Sequence, residues 1–452
     1  MSPVRVIGGG LAGSEAAWQI ASAGVPVILH EMRPVQPTAV HRTDRLAELV
    51  CSNSFRGDKL DSAVGLLKEE MRRLGSLVMA VADTVRVPAG AALAVDRDLF
   101  SAEITRRLEA HPLVTIVRGE VTDIPDDGIV IVATGPLTSD RLSEAIARFV
   151  GREHLAFFDA ISPIVLAESI DMSRVFRASR WNRHSPASTG EGSADTGDYL
   201  NCPLTREQYD AFYDALMTAE RATLHDFDQV KFFEGCLPIE VMAKRGRDTL
   251  RFGPMKPTGL VDPRTGRWPY AVVQLRQDNL AGDHYSLVGF QTQLKWGEQA
   301  RVLRLIPGLE QAEFVRYGMI HRNTYINAPT VLKPTWQTRT RPTLLFAGQV
   351  SGVEGYVESA ASGLVAGMNA ARLAAGLEPL LLPRTTAIGA LGYYVSHADP
   401  KHYDPTNITF GIMAPLTDAP RGRRDRQLLI SQRALAALDD WKRRTAVVAS
   451  PG

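Results

Sequence analysis

Three segments of the sequence predict an α/β fold in which a Rossmann-like, dinucleotide-binding domain is split by an inserted α/β domain. The chain opens on a glycine-rich strand–turn–helix unit, a buried strand ends near residue 135, and a third strand leads into a glycine-rich turn and helix after residue 343. The predicted boundaries are 1–136 for the first part of the domain, 137–327 for the insert, and 328–452 for the second part with its C-terminal tail.

The first unit has the spacing G-x-G-x-x-G between a short apolar strand at 4–7 and a helix. Gly8 permits a tight turn, Gly10 leaves room for a pyrophosphate, and Gly13 lets the helix pack closely on the strand. The helix N-terminus offers N–H groups and a positive dipole end to phosphate. The predicted cofactor-binding residues of this turn are Gly8, Gly9, Gly10, Leu11, Ala12 and Gly13.

The next strand ends at Glu31, 18 residues beyond Gly13. An acidic residue at such a distance accepts hydrogen bonds from an adenosine ribose in dinucleotide-binding units. FAD, NAD and S-adenosylmethionine can each use a turn of this kind. This unit alone therefore predicts a bound nucleotide without choosing among the three.

Two later segments favour FAD. Residues 128–135 form a buried strand ending in Ala-Thr-Gly, which resembles the strand-end signature of two-dinucleotide flavoproteins. Residues 343–349 form another strand, followed by a turn and a helix of small residues, which resembles the segment that meets the flavin end of FAD in that class. The predicted contacts here are Gly348, Gln349, Gly355 and Tyr356.

The charge composition limits where on the protein a nucleic acid could bind. The 452 residues carry 51 basic and 50 acidic side chains, a net charge of +1, so any nucleic-acid surface must be local. One candidate is a strip of arginines at every third position: Arg174, Arg177, Arg180 and Arg183. The strip is either a solvated edge or a phosphate-binding surface, and its arginines cluster if the segment is helical and alternate if it is extended. A flexible surface loop is predicted at 185–198, where glycine, serine and threonine accumulate.

The cysteines point to chemistry rather than to cross-links. Three cysteines in a long chain exclude a disulfide scaffold, and without a C-x-x-C pair we expect no metal site. Cys51 precedes a polar, turn-like run in which Arg56 is expected to favour a thiolate. Cys236 lies in a loop shaped by Gly235 and Pro238, whereas Cys202 is expected to be buried. The sequence shows no signal peptide and no apolar stretch long enough to span a membrane, so we expect a cytoplasmic protein.

Taken together, these segments resemble the folate- and FAD-dependent tRNA uracil-5-methyltransferases of the TrmFO type. The resembling motifs are GGGLAGSEAA (8–17), CSNSFRGD (51–58), YLNCPL (199–204), EGCLPIEVMA (234–243), RFGPMKPTGL (251–260), FQTQLKWGEQ (290–299), YGMIHRNTYI (317–326) and AGQVSGVEGYVES (347–359). The resemblance covers nearly the whole chain. The long loop at 185–198 departs from it, since a shorter connection is expected there.

The resemblance implies methylation of uridine 54 in the T-arm of tRNA. Its nucleophile maps onto Cys236, which would add to uracil C6, and its second catalytic cysteine maps onto Cys51, as base or flavin-side partner. The carbon would come from 5,10-methylenetetrahydrofolate, and FAD reduced by NADH or NADPH would reduce it to methyl. Trp296 is the candidate to stack on the pterin. His321 and Arg322 are candidates to contact folate or substrate. No obligate protein partner is implied.

Three alternatives stay open at this point. The tRNA wobble-uridine modifying flavoproteins of the GidA type share the FAD segments, but they are longer and carry a C-terminal helical extension. A non-catalytic FAD-containing tRNA-binding protein would not need Cys236. A flavin oxidase of small molecules would need neither the arginine strip nor paired cysteines.

Overall fold

The structure is a computed structural model that describes residues 2–38, 40–151, 155–160, 162–182, 197–221, 237–318 and 320–448. The strands are β1 (Val4–Ile7), β2 (Val27–Glu31), β3 (Ser54–Gly57), β4 (Arg86–Val87), β5 (Ala92–Val95), β6 (Val114–Arg118), β7 (Val130–Val132), β8 (Leu155–Ala160), β9 (Ile164–Leu166), β10 (Phe176–Ala178), β11 (Tyr199–Leu204), β12 (Ala271–Gln277), β13 (His284–Leu287), β14 (Phe314–Arg316), β15 (Ile320–Tyr325) and β16 (Leu344–Phe346).

The helices lie between and after these strands. They are α1 (Leu11–Ser22), α2 (Ala63–Arg73), α3 (Leu77–Ala82), α4 (Arg97–Glu109), α5 (Asp140–Val150), α6 (Arg206–Thr218), α7 (Ile239–Lys244), α8 (Thr249–Phe252), α9 (Trp296–Leu303), α10 (Ala328–Val331), α11 (Tyr356–Ala374), α12 (Ala387–His397) and α13 (Arg423–Val448). Within the described ranges, no helix combines the length and the apolarity needed to cross a bilayer.

The two ends of the chain build one parallel sheet. Its strand order is β16-β7-β1-β2-β6, so a strand from residue 344 onward closes a sheet begun at residue 4. Strands β1, β7 and β16 are almost wholly apolar and buried, as expected when both faces of a parallel sheet are covered. The predicted α/β fold with a split Rossmann-like domain is confirmed. The carboxyl ends of its strands share one edge, where such sheets bind ligands.

The insert is built on a different sheet. Its strand order is β10-β11-β12-β13-β9-β14, and all of its pairings are antiparallel. A separate apolar core forms between this sheet and α6, α7 and α9. The predicted boundaries stay a prediction, and one difference is clear. Helix α5 buries Leu142, Ala145 and Ile146 in the first core, although the predicted boundary at 136/137 assigned it to the insert.

Candidate functional site

The glycine turn after β1 has the geometry that its spacing predicts. Gly8 has φ +106°, and a Cβ there would lie 2.6 Å from the carbonyl oxygen of Ala133. A Cβ on Gly13 would lie 1.8 Å from the carbonyl oxygen of Gly8, so only glycine lets α1 approach the turn this closely. A Cβ on Gly10, in contrast, would meet nothing within 4 Å. The space beside Gly10 is thus open for a ligand.

Helix α1 begins directly at this turn. Gly10 is its N-cap residue, and no side chain among the described residues caps its first turn. Leu11 and Ala12, the first residues of the helix, line the adjoining cleft. Uncapped N–H groups at a helix N-terminus bind anions well, so this end suits a pyrophosphate.

Glu31, at the end of β2, lines the same cleft and is held in one orientation. One carboxylate oxygen accepts from the N–H of Gly9 at 3.0 Å, and the other accepts from the backbone N–H and the Nε of Arg33, both at 2.9 Å. Burial opposes the charge of Glu31, but the bonds and charge of Arg33 keep its pKa below the ordinary value. Glu31 is therefore an ionised acceptor, as ribose binding requires.

The late turn brings a second helix N-terminus to the first. Gly348 has φ +76°, and a Cβ there would lie 3.0 Å from the Cβ of Ala12. Gly355 has φ +105° and, as a glycine, is an N-cap of α11 that offers no capping side chain. Cβ atoms on Gly363 and Gly367 would lie 2.1 and 2.6 Å from the carbonyl oxygens of Ala12 and Ala16, so α1 and α11 touch backbone to backbone.

One cleft joins both turns. Its lining includes Gly8, Gly9, Gly10, Leu11, Ala12, Glu31, Cys51, Gly348, Gln349 and Tyr356. The open space beside Gly10, the two glycine-capped helix ends and the ionised Glu31 fit a long dinucleotide such as FAD. Gly13 serves the packing of α1 against the turn instead.

Cys51 lies in this cleft, on a loop held by Tyr356. The backbone N–H groups of Cys51 and Ser52 donate to the Tyr356 hydroxyl at 2.7 and 3.1 Å. Burial, and then the nearby Cys51, raise the pKa of Tyr356, so its hydroxyl stays protonated. The first residue of α11 thereby connects the cofactor turn to the cysteine loop.

The same loop is fastened to the insert by a buried arginine. Arg276 on β12 donates to Asn53 Oδ1 and Ser52 Oγ, both at 2.8 Å. Asn53 in turn donates to the carbonyl oxygens of Gln277 and Asp278 at 3.0 and 3.3 Å. The Cys51 loop therefore lies between the parallel sheet and the inserted sheet.

The arginines that act on Cys51 are not the one expected from the sequence. Arg56 pairs with the buried Glu358 instead, so the expectation that it favours a thiolate is not supported. Arg97 and Arg316 interact electrostatically with Cys51. Arg97 also forms an ion pair with Asp278 at 2.9 Å. The sequence next to Cys51 does not reveal these two arginines, because they come from α4 and β14. A signal in the sequence was available only for Arg276, which stands among the buried residues of β12.

The remaining predicted site residues are described only in part. Cys236 lies outside the described residues, and so do the side chains of His321 and Arg322, which fall on β15. Cys202 is buried in the core of the insert, and burial raises the pKa of its thiol. Of the 185–198 loop, only residues 197 and 198 are described.

Trp296 is a surface residue and not part of either core. It is 61% exposed and stacks on Tyr317, with ring centroids 6.0 Å apart and planes at 17°. Tyr317 stacks in the same way on Phe314, at 5.1 Å and 22°. A three-ring stack with an exposed outer indole can receive one more flat ring.

The arginine strip is extended, since β10 occupies its middle. Arg174 pairs with Glu310 at 2.6 Å, and Arg177 donates to the Tyr285 hydroxyl at 3.2 Å. Arg180 has more acceptors: it donates to the carbonyl oxygens of Thr258 and Lys256 at 2.7 and 2.6 Å and to Gln274 at 3.0 Å. Arg183 lies outside the described residues.

The sequence matches a known protein family over most of its length. Residues 3–378 match the family described as glucose inhibited division protein A. A protein of Desulforudis audaxviator named methylenetetrahydrofolate--tRNA-(uracil-5-)-methyltransferase TrmFO is 61% identical over 97% of this chain and 98% of its own. The protein of the same name from Symbiobacterium thermophilum is 62% identical over 97% and 96%.

Among solved structures, Aquifex aeolicus GidA in its form II crystal superimposes with a TM-score of 0.71 at 19% identity. The alignment covers 98% of this chain and 73% of that one. At this identity the likeness establishes the fold.

Proposed function

This chain belongs to the family of methylenetetrahydrofolate--tRNA-(uracil-5-)-methyltransferases (TrmFO), and we propose that it forms 5-methyluridine at position 54 of tRNA. The structural observation that supports the proposal is the position of Cys51. Its loop lines the same cleft as both glycine turns, so a thiol and a bound dinucleotide share one space. A flavin oxidase of small molecules has no use for a thiol held in this way.

The cofactor is FAD. We assign its pyrophosphate to the turn at Gly8–Gly13 with Leu11 and Ala12, and its adenosine ribose to Glu31. Its flavin end is assigned to the second turn, where Gly348, Gln349 and Tyr356 line the cleft and Gly355 is the N-cap of α11. When bound and reduced by NADH or NADPH, FAD supplies the reducing equivalents that convert the transferred methylene to methyl. The protein contributes binding, orientation and proton transfer.

The two cysteines divide the chemistry of the uracil ring. Cys236 adds as a thiolate to C6, which makes C5 nucleophilic toward the one-carbon unit of 5,10-methylenetetrahydrofolate. Cys51 accepts the C5 proton, and the bond between Cys236 and C6 breaks once the transferred carbon has left folate and been reduced to methyl. Tyr356 holds the Cys51 loop through two backbone N–H groups and so positions this base.

Substrate binding is assigned to the remaining residues. The exposed face of Trp296 suits the pterin, and His321 and Arg322 are assigned to folate or uracil. Arg174, Arg177 and Arg180 are assigned to phosphates of the T-arm. We expect the protein to be cytoplasmic, the compartment in which its tRNA substrate is found. We also expect the reaction to need no other protein.

The test is reconstitution with the purified chain. Undermodified tRNA, methylenetetrahydrofolate and NADH or NADPH should give 5-methyluridine at position 54, with the label derived from the folate. A tRNA with cytidine at position 54 is the matched control and should stay unmethylated. Modification at the wobble position, or efficient methylation from S-adenosylmethionine without a reductant, would contradict the proposal. A non-catalytic tRNA-binding protein would bind tRNA and give no product.

A further inference from the structure

Arg316, the last residue of β14, is a buried cation whose guanidinium forms no hydrogen bond or ion pair with the part of the chain that the structure describes. It is 9% exposed, and none of the residues that the structure describes forms a hydrogen bond or ion pair with its guanidinium. Removing a guanidinium from water without a partner is unfavourable. The position is therefore suited to an anionic group that arrives with a ligand.

Arg316 lies within electrostatic range of Cys51. Arg316 interacts electrostatically with Cys51, Arg97 and Tyr356, and burial together with the charge of Arg97 lowers its pKa to about 10. Arg316 nevertheless remains protonated at neutral pH.

The other buried charges near this loop are already occupied. Arg97 is paired with Asp278, and Arg276 is bonded to the neutral groups of Ser52 and Asn53. Among the described residues, Arg97 thus has a buried carboxylate as its partner and Arg276 has neutral acceptors. Arg316 is the one of the three for which those residues supply no acceptor.

We propose that Arg316 donates hydrogen bonds to O4 of the target uracil and stabilises the negative charge that this oxygen carries during methyl transfer. The inference rests on the proposed function. When the thiolate adds to C6, the S–C6 bond forms and the electron pair of the C5–C6 double bond moves onto C4–O4. When C5, which now carries the one-carbon unit, loses its proton to Cys51, the pair of the C5–H bond moves onto O4 again, and its return expels the folate nitrogen from that carbon. The S–C6 bond breaks, and the C5–C6 double bond re-forms, once the carbon has been reduced to methyl.

The geometry of the ring connects this charge to Arg316. C4 is bonded directly to C5, so a cation within electrostatic range of the thiol that accepts the C5 proton is also within range of the charge on O4. A buried donor aimed at an oxygen where charge develops stabilises the transition state strongly, because it needs no reorganisation during the reaction. A backbone phosphate of the RNA would stay at the rim of a base-binding pocket, whereas the uracil ring would enter the pocket. A guanidinium as buried as that of Arg316 is therefore better placed to contact the ring than a phosphate.

The test compares Arg316→Gln with wild type in two assays. The first is the rate of covalent adduct formation with T-arm RNA carrying 5-fluorouridine at the target position, at saturating RNA, and the second is steady-state formation of 5-methyluridine. We expect the adduct rate and the kcat for 5-methyluridine to fall about 100-fold, with the KM values for RNA and folate changed far less. Arg316→Lys should recover part of the loss, since it keeps the charge but not the planar fork.

Arg106→Gln is the matched control. Arg106 is an exposed arginine of α4 that is paired with Glu103, and its loss should leave both rates unchanged. A second measurement serves in case Arg316→Gln is unstable. Replacing the uracil O4 with sulfur weakens the acceptor, which should slow wild type more than Arg316→Lys.

Three results would overturn the proposal. Arg316→Gln that forms the adduct at the wild-type rate excludes a role at O4. A variant that loses only RNA affinity and salt dependence assigns Arg316 to a phosphate, and one that raises only the KM for folate assigns it to a folate carboxylate. If wild type itself makes no 5-methyluridine in the same assay, the proposed function fails instead.

Discussion

The backbone N–H of Cys51 donates a 2.7 Å hydrogen bond to the hydroxyl of Tyr356. The two residues are 305 positions apart in the chain, and the bond connects the cysteine loop to the first turn of α11. The hydroxyl also accepts from Ser52, so one oxygen orients two successive peptide groups.

Tyr356→Phe should therefore lower turnover while FAD stays bound. The change leaves two N–H groups without their acceptor, at about 1–3 kcal/mol for each group that remains buried. We expect a lower Tm and a loss of kcat, with the flavin absorbance per protein unchanged. Tyr394→Phe is the control, since the Tyr394 hydroxyl bonds to Asp404 at the surface. A fully active Tyr356→Phe enzyme would show that the loop needs no such anchor.

Gly10→Val should remove flavin without unfolding the protein. A side chain at Gly10 would enter open space, which is the space assigned to the pyrophosphate. The purified variant should be folded by circular dichroism and colourless. Gly13→Val, in contrast, should fail to fold properly because its Cβ would overlap the carbonyl oxygen of Gly8. Full flavin absorbance in Gly10→Val would reject the assignment of this turn.

The cysteine variants should separate nucleophile from base. Cys236→Ala should lose both methylation and the adduct with 5-fluorouridine RNA. Cys51→Ala should lose methylation but still form the adduct through Cys236, and both variants should keep FAD. Cys202→Ala should stay active with a slightly lower Tm, because its thiol fills a buried position. A Cys51→Ala enzyme without adduct would show that Cys51 also serves the addition step.

Glu70 should make stability depend on pH. Its carboxylate accepts from the N–H groups of Ala387 and Ile388 at the start of α12, and burial raises its pKa from 4.5 to about 8. The folded state thus holds this proton more tightly than the unfolded state does. The stabilisation is complete below pH 4.5 and is lost as the pH rises toward 8, at about 1.4 kcal/mol for each unit of difference in pKa.

Glu70→Gln cannot titrate, so the Tm advantage of wild type over this variant should shrink between pH 5 and pH 8. Thermal unfolding across this range is the measurement. Glu69→Gln, on the same helix and paired with Arg73, controls for the loss of a carboxylate. A constant difference between wild type and Glu70→Gln would contradict the prediction.

Substitutions in the arginine strip should differ in their effects on tRNA binding and on thermal stability. Arg174→Gln with Arg177→Gln should weaken tRNA binding and lower the slope of log K against log salt by about 0.7–0.9 for each phosphate that is no longer neutralised. Flavin content should not change. Arg180→Gln should in addition lower the Tm, because three internal acceptors lose their donor. Binding by the double variant that matches wild type at every salt concentration would assign the strip to an ordinary solvated surface.

The sequence predicts the cofactor cleft better than it predicts the surroundings of Cys51. The spacing of glycines indicates where a tight turn or a close approach of two backbone segments requires glycine. The roles of Gly8 and Gly13 could be predicted because each depends only on one turn and the helix that follows it. The cleft is formed by residues from both ends of the chain. It could be predicted from the sequence only because the late turn at Gly348–Gly355 carries a recognisable glycine pattern of its own.

The charges around Cys51 could not be predicted in this way. Arg97, Arg276 and Arg316 come from three distant elements, and only the tertiary fold brings them together. Proximity in the chain suggested Arg56 instead, but the buried carboxylate of Glu358 binds that side chain. Similarly, the spacing of three in the arginine strip did not distinguish a helix from the strand β10.

The packing of α1 on α11 has a consequence for ligand choice. Gly363 and Gly367 bring the two helices together main chain against main chain, so the separation of their N-termini does not depend on side-chain size. The cleft therefore works as a gauge of fixed length. A mononucleotide can engage one helix end but cannot reach the other, whereas a molecule long enough to touch both gains the two attachments in a single binding event.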